Sequence, residues 1–256
     1  MNAAPRIDLN CDAGESFGAW TLGDDDAMFE VVTSASIACG FHAGDPSTME
    51  STVRSAVRHG VAVGAHPSYP DLQGFGRRTM RVSAAEAEAF VLYQIGALQA
   101  IAEANGTHVT HVKPHGALYN DAARDRSLAD AIAAAVRRSG DLRLVGLAGS
   151  AFAEAARSAG VPFIAEGFCD RAYGDDGHLV SRSVAGALIA DPQAAARQAV
   201  DIAVRGRVRS ASGAEVAVAA QTLCIHGDTP GAVDIARAVR EALESAGVRV
   251  ARPESG

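Results

Sequence analysis

Clusters of polar residues recur along this sequence, and each one follows a short run of small or apolar residues. Residues 36–46 (SIACGFHAGDP) are the clearest case, because an apolar run leads into glycines, His42 and Asp45 before a proline. Side chains of this kind can transfer protons or bind a divalent metal when they converge. We therefore expect one site assembled from the ends of several strands. The other clusters contain, in chain order, Asn10, Asp12, Glu15, His66, Lys113, His115, Glu166, Asp170, Arg171, His226 and Asp228.

Asp12, His42 and His66 would end the first three strands, which should be neighbours in a sheet. A carboxylate and two imidazoles at one edge could bind a divalent metal or act as an acid–base set. Each of the three could instead have a local structural role, such as capping a loop or bonding a backbone carbonyl. We expect these residues to be catalytic. They are also the candidates for a metal site, although no metal is assigned.

Lys113 and His115, which follow the predicted fourth strand, complete the catalytic candidates. A lysine inside a sheet or barrel needs an anion, an acidic partner or a catalytic task, because charged side chains are rarely buried alone. A plain salt bridge from Lys113 to Asp12 or Glu166 is the structural alternative.

A second group of residues is expected to bind the substrate. Asp45 precedes Pro46 and could equally cap the helix that follows. Asp228, in residues 228–230 (DTP), has the same alternative. Arg77 follows a long glycine-rich loop and could bind a carboxylate or phosphate through two hydrogen bonds, although paired arginines are more often solvated. The full group is Asn10, Glu15, Asp45, Arg77, Glu166, Asp170, Arg171, His226 and Asp228.

Seven short strands that alternate with helices are predicted to position these residues, at 6–11, 35–39, 61–65, 109–113, 142–147, 162–168 and 221–225. A turn at 174–177 interrupts the alternation. In the first strand Asp8, Asn10 and Asp12 share one face, and that face is expected to line a wet interior. The alternation predicts an α/β protein with a parallel sheet.

A barrel is favoured over an open sheet, because polar residues stand at the end of nearly every predicted strand. An open sheet would concentrate its site at one or two crossover loops, whereas a barrel collects its site from many strands. Seven strands rather than eight predict an incomplete or distorted TIM-like (β/α) barrel. The sequence shows no linker, so residues 1–256 are predicted to form a single domain.

Composition argues against several classes of protein. The chain has 256 residues and a net charge of −7 without a basic run, which argues against binding to nucleic acid or to an anionic membrane. No apolar stretch approaches the ~20 residues that span a bilayer, and the first residues lack the apolar region of a signal peptide. Four scattered cysteines fit reduced thiols, so we expect a cytoplasmic protein. The sequence has no phosphate-loop or dinucleotide motif, so any nucleotide is held by other means or by a partner.

At these residues the sequence resembles the LamB/YcsF family. The resemblance implies a distorted (β/α) barrel of the glycoside hydrolase/deacetylase type. It also implies cleavage of 5-oxo-L-proline to L-glutamate, driven by hydrolysis of ATP, with Mg²⁺, to ADP and phosphate. Two further subunits (B and C) would be needed, and a homo-oligomer is left open. The segments that carry the resemblance span nearly the whole chain in order: DLNCDAGE (8–15), IACGFHAGD (37–45), GAHP (64–67), GFGR (74–77), YQIGAL (93–98), HVKPHGALYN (111–120), DRAY (170–173), GALI (186–189) and CIHGD (224–228).

The resemblance leads to a hypothesis for the site. Lys113 and an arginine, Arg77 or Arg171, would bind the substrate carboxylate or the activated lactam oxygen. Two alternatives remain: a stand-alone metal-dependent deacetylase or hydrolase of a small or carbohydrate substrate, and a non-catalytic substrate-binding subunit. In the main hypothesis four residues would bind the water and transfer protons, with or without a divalent metal at the barrel mouth. They are Asp12, His42, His66 and His115.

Overall fold

The computed structural model describes residues 5–229 and 231–252, and a barrel of seven parallel strands lies at its centre. The barrel strands pair in chain order, and the last of them pairs back onto the first. The predicted seven-stranded barrel is therefore confirmed, and its ring is closed rather than incomplete. These strands are β1 (Arg6–Ala13), β2 (Ser34–Ala38), β3 (Ala62–His66), β4 (Val109–Val112), β5 (Arg143–Leu147), β6 (Phe163–Phe168) and β9 (Thr222–Ile225).

Helices surround the barrel and connect its strands. The described helices are α1 (Asp25–Phe29), α2 (Pro46–His59), α3 (Ala84–Ala104), α4 (Gly116–Arg124), α5 (Arg126–Arg138), α6 (Ala151–Ala159), α7 (Pro192–Arg205) and α8 (Ala232–Ser245). Three short strands lie outside the barrel: the antiparallel pair β7 (Arg207–Arg209) and β8 (Glu215–Ala217), and β10 (Arg249–Val250), which pairs with the start of β1. Among the described residues, no helix combines the length and the apolar character needed to cross a bilayer.

The two aspartates that could cap helices behave differently. Asp45 is the N-cap of α2, accepts hydrogen bonds from the backbone amides one turn ahead, and precedes Pro46 in the first turn. Among the described residues Asp228 caps no helix, because α8 begins after Gly231 without a side-chain cap. Pro230, which belongs to the predicted cap, lies outside the described residues.

The interior of the barrel is polar, as the alternation in β1 predicts. Asp8 accepts a hydrogen bond from Ser34 Oγ at 2.8 Å and another from Thr222 Oγ1. Asn10 Nδ2 donates to Thr222 Oγ1 at 2.7 Å and to Glu166 Oε1 at 3.0 Å. These bonds connect β1 to β2, β6 and β9 across the lumen. The buried polar groups thus satisfy one another's hydrogen-bonding capacity. In most (β/α) barrels branched aliphatic side chains fill this space.

Gly64 makes room for one further polar side chain inside the barrel. A Cβ at this position of β3 would lie 2.1 Å from His111 Nε2, which is far inside van der Waals contact. The His111 ring fills that space from β4, with Nε2 3.4 Å from Ser36 Oγ. A glycine on one strand therefore allows a histidine on its neighbour.

Candidate active site

Lys113, the only lysine in the sequence, lies in the lumen and has 2% of its surface exposed. Its Nζ is 2.6 Å from Asp12 Oδ1 and 3.1 Å from Glu166 Oε1. Nζ also donates to Asn10 Oδ1 at 2.9 Å and to Cys224 Sγ at 3.1 Å. The contact with Asp12 is an ion pair whose angle is not that of a hydrogen bond. The salt bridge expected with Asp12 or Glu166 is thus made with both.

The charges around Lys113 stabilise one another. Burial alone would lower the pKa of Lys113, but Asp12 and Glu166 raise it well above its usual value. Burial alone would raise the pKa of Asp12, but His66 and Lys113 bring it well below its usual value. Lys113 is therefore a cation and Asp12 an anion near neutral pH. Because Lys113 already faces two carboxylates, it is poorly placed to bind a substrate carboxylate, and it holds Asp12 in position instead.

Four buried side chains form what we call the histidine–glutamate cluster. Each offers one ligand atom, and these atoms lie within 4.8 Å of one another. Within the cluster His66 Nε2 lies 2.9 Å from His115 Nδ1, and Glu15 Oε1 lies 3.2 Å from His42 Nε2. His66 Nε2 is also 3.4 Å from Asp12 Oδ1. The ends of strands far apart in sequence thus place four groups together: Glu15, His42, His66 and His115.

Burial dominates the protonation of this cluster. It lowers the pKa of both His42 and His115 well below the usual value for histidine. It raises the pKa of Glu15 well above its usual value, and the negative charge of Asp12 adds to that effect. The neutral forms of all three side chains are therefore favoured when no cation is present.

His226 and Asp170 form a separate pair on the other side of Asp12. His226 Nδ1 lies 2.9 Å from Asp170 Oδ2 and 3.0 Å from Oδ1, and the His226 amide donates to Oδ2 at 3.0 Å. Burial alone would raise the pKa of Asp170, but His226 lowers it. A carboxylate on Nδ1 holds the proton there and leaves Nε2 as the nitrogen that can exchange protons with a ligand. The pair is thus arranged for acid–base chemistry.

A cavity of about 620 Å³ opens at this end of the barrel. Residues of the histidine–glutamate cluster and of the His226–Asp170 pair both line this cavity. The lining includes Asp12, His66, Lys113, His115 and His226. Besides the carboxylates of Asp12 and Asp121, four arginines lie along the cavity wall. These are Arg77, Arg124, Arg171 and Arg182.

Arg171 is the arginine best placed to bind an anion. It is 3% exposed, its Nη2 donates to the Val180 carbonyl oxygen at 2.7 Å, and its Nε has no hydrogen-bond partner among the described residues. Burial and the neighbouring Arg182 lower its pKa to about 10, which still leaves it charged at neutral pH. Arg77 differs, because its Nη2 is 2.5 Å from Asp228 Oδ2.

The predicted substrate-binding residues occupy different places. Asn10 and Glu166 lie deeper in the lumen, against the lysine. Asp45 lies away from the cavity, because its carboxylate caps α2 and also accepts from the Gly18 amide at 2.8 Å. Three line the cavity, namely Arg77, Arg171 and His226. The remaining three contact other site residues: Glu15, Asp170 and Asp228.

Three residues of the site, Tyr119, Arg124 and Arg182, are not among those expected from the sequence. Tyr119 donates from its hydroxyl to Glu166 Oε2 at 2.8 Å. It lies one helical turn beyond His115, a spacing that places two side chains on the same face and could have indicated it. Arg182 lies 3.8 Å from Asp228 and lines the cavity. No local sequence pattern indicates Arg182, because it lies in a loop that only the tertiary fold places at the cavity.

Comparison with known proteins gives a consistent result. The model of the LamB/YcsF family matches residues 7–255. The A subunit of a 5-oxoprolinase from Chloroflexus aggregans is 56% identical over 248 residues, which cover 96% of this chain and 98% of the relative. The crystal structure of a lactam utilization protein from Thermus thermophilus is similar with a TM-score of 0.90 at 53% identity, covering 96% of this chain and 99% of that one.

A more distant structure supports the fold alone. A family 4 carbohydrate esterase from Streptomyces lividans has a TM-score of 0.50 at 12% identity, with 98% of this chain and 95% of that chain covered. The two chains therefore share the overall barrel fold. A likeness at this level of identity carries no information about activity.

Proposed function

Because the chain belongs to the LamB/YcsF family, we propose that it is the A subunit of an ATP-dependent 5-oxoprolinase, a hydrolase that acts on a cyclic amide. The reaction opens the lactam ring of 5-oxo-L-proline to give L-glutamate and hydrolyses ATP to ADP and phosphate. The observation that carries the proposal is one cavity lined by both the buried Arg171 and His226, which Asp170 holds in place. Cleavage of an amide needs acid–base groups, and an acidic substrate needs a cation.

Arg171 is the proposed partner of the substrate carboxylate. Its guanidinium is buried, charged and has an unused Nε, so a carboxylate can complete its hydrogen bonds. Arg77 is the second candidate, but Asp228 already opposes its charge. Lys113 is not assigned this role, for the reason given above.

Ring opening forms a bond from a water oxygen to the lactam carbonyl carbon and breaks the bond from that carbon to nitrogen. Asp12 lines the cavity as an anion and is proposed to accept the proton that the water releases. Protonated His226 is proposed to give a proton to the departing nitrogen through Nε2, while Asp170 keeps the ring in orientation. Lys113 prevents Asp12 from being neutralised before the water arrives.

The coupling to ATP and the partner subunits belong to the same proposal. A lactam is a stabilised amide, so transfer of the terminal phosphoryl group of ATP to its oxygen, with departure of ADP, makes attack by water easier. Loss of the ring nitrogen then leaves an acyl phosphate, and a second water releases phosphate from it to give glutamate. Arg124 and Arg182 on the cavity wall are proposed to bind a phosphate group through paired hydrogen bonds, in exchange for their present ion pairs with Asp176 and Asp228. We propose that ATP acts with Mg²⁺, that subunits B and C complete the enzyme, and that the reaction takes place in the cytoplasm.

A metal-dependent deacetylase or hydrolase is the second candidate, and the histidine–glutamate cluster is the observation that favours it. Such an enzyme would act without ATP and without partner subunits. A non-catalytic subunit that only delivers substrate is the third, and it would not need an acid–base pair in its cavity.

The test measures release of glutamate from 5-oxoproline in the presence of ATP and Mg²⁺. Three samples are compared: the chain alone, the two partner subunits alone, and all three proteins together. Activity only in the complete mixture is expected. Turnover of an N-acetylated sugar by the chain alone would favour the deacetylase. Full activity of a complex that contains the His226→Gln variant would favour a substrate-delivery subunit. The matched control is His108→Gln, because His108 is exposed and lies outside the cavity.

A further inference from the structure

The hydrogen bonds of His66 and His115 determine which of their ring nitrogens carry protons. His66 Nδ1 lies 2.7 Å from the carbonyl oxygen of Lys113, and His115 Nε2 lies 2.9 Å from that of Phe75. A carbonyl oxygen only accepts hydrogen bonds, so each of these nitrogens carries the ring proton. In neutral rings the other two nitrogens, His66 Nε2 and His115 Nδ1, are therefore unprotonated, and they lie 2.9 Å apart.

Two lone pairs at that distance repel each other unless a cation lies against both. Glu15 Oε1, 3.4 Å from His115 Nδ1, is a third potential ligand atom at the same place. A proton or a metal ion could supply the positive charge. The geometry favours the metal ion, because a single ion can lie against all three atoms, whereas a single proton bridges only two of them.

We propose that His66 Nε2, His115 Nδ1 and Glu15 Oε1 bind a divalent transition metal. Two donors bound to one zinc ion at ~2.0–2.1 Å lie about 3 to 3.4 Å apart. The observed separations of 2.9 and 3.4 Å are close to this range. The bonds from the opposite ring nitrogens to backbone carbonyls are the outer contacts that orient metal-binding histidines. Two imidazoles and one carboxylate favour Zn²⁺ or a similar ion over Mg²⁺.

His42 supports this site rather than joining it. Its ring stacks on His115 with centroids 3.8 Å apart and planes 5° apart, so the in-plane lone pairs of the two rings run parallel and do not meet at one ion. Its Nε2 instead lies 3.2 Å from Glu15 Oε1. Asp12 is already engaged in an ion pair. Of the metal candidates expected from the sequence, only His66 is kept.

The bound ion would face the substrate cavity, because His66 and His115 line it and three protein ligands leave coordination positions open. A metal in this place supplies a Lewis acid for a carbonyl oxygen or lowers the pKa of a bound water. That use rests on the proposed function, whereas the binding of the ion does not.

The test is metal binding by the isolated chain, without ATP, substrate or partner subunits. Its outcome is therefore independent of the 5-oxoprolinase assay. The chain is stripped with a chelator, incubated with Zn²⁺, passed through a desalting column and analysed for metal by mass spectrometry. One zinc per chain is expected. Co²⁺ in place of Zn²⁺ should give visible absorption bands that are absent for the free ion at the same concentration.

Variants locate the ion. Removing a direct ligand should cost at least the roughly tenfold loss of affinity seen for outer contacts, so His115→Gln and Glu15→Gln should weaken zinc binding by that factor or more. His108→Gln should bind as the unchanged chain does. Circular dichroism checks that each variant is folded, and Glu15→Gln keeps the size of the side chain. The proposal is overturned if the unchanged chain retains no metal, or if His226→Gln loses the ion while Glu15→Gln keeps it. The second result would move the ion to the group formed by Asp12, Cys224 and His226.

Discussion

Lys113 Nζ and Asp12 Oδ1 lie 2.6 Å apart inside the barrel, although Lys113 follows β4 and Asp12 lies in β1, which is not a neighbour of β4. Lys113→Met would leave Asp12 and Glu166 buried without their cation. Breaking a buried pair in this way costs about 3–5 kcal/mol, and we expect the free energy of unfolding to fall by that amount. Urea denaturation of the isolated chain at neutral pH measures it.

Removing the opposing charge as well tests the reason for that loss. Lys113→Met combined with Asp12→Asn should be more stable than the sum of the two single effects predicts, because fewer unpaired charges remain in the lumen. Strict additivity of the two substitutions would show that the ion pair is not what stabilises the lumen.

His226 is expected to be the proton donor of the reaction. His226→Gln should lower kcat of the assembled enzyme by about 10²- to 10⁴-fold, the usual contribution of a positioned acid or base. Asp170→Asn should also lower kcat and should shift one limb of the pH–rate profile, because the ring loses the carboxylate on Nδ1. His108→Gln should stay close to the unchanged enzyme. Equal rates for His226→Gln and His108→Gln would remove His226 from the mechanism.

Arg171 is expected to set the affinity for the substrate carboxylate. Arg171→Lys keeps the charge but loses the planar arrangement of donors, so KM should rise by about 10- to 100-fold with a smaller change in kcat. Arg54→Lys, on the exposed face of α2, is the control. If kcat fell while KM stayed constant, Arg171 would act on the reacting atoms rather than on the carboxylate.

His111 should make the fold sensitive to acid. Burial, with Lys113 and Arg143 nearby, lowers its pKa to about 3. An unfolded histidine has a pKa of about 6.5. Its contribution to stability is therefore fully present above about pH 6.5 and is lost as the pH falls, by about 2 kcal/mol at pH 5.

Urea unfolding of His111→Gln at pH 7 and pH 5 measures this contribution. The stability difference between the two pH values should shrink by about 2 kcal/mol relative to the unchanged chain. His108 is exposed and directly precedes β4, the strand that contains His111. His108→Gln should therefore keep the stability difference of the unchanged chain between pH 7 and pH 5. An unchanged pH dependence in His111→Gln would assign the acid sensitivity to other groups.

The strand pattern is readable from the sequence because neighbouring residues produce it. The polarity of β1 alternates with a period of two, and its polar face does line the lumen. The start of α2 follows from Asp45 and Pro46. Short helices are harder to predict from the sequence. The helix α1 has too few residues for a periodic pattern, and α4 cannot be told from α5 by pattern because Asp125 alone separates them.

The roles of individual polar residues are harder to predict than their positions. Asp45 and Asp228 both precede helices and could both act as caps, yet only Asp45 does so. Asp228 pairs with Arg77 instead. His226 and Asp170 are both expected to contact substrate, and the structure joins them to each other. A side chain at a strand end has several possible partners, and the sequence does not rank them.

The sequence by itself determines the alternation of strands and helices, the capped helix starts and the gathering of polar residues at the strand ends. All of these depend on interactions within a few residues of the chain. Only the tertiary structure decides that Lys113 faces both Asp12 and Glu166, and that His66 Nε2 and His115 Nδ1 lie 2.9 Å apart. Closure of the barrel brings these groups together from distant strands and removes them from water. Their protonation states then depend on burial and on residues that are distant in sequence, and no local segment of the sequence determines either.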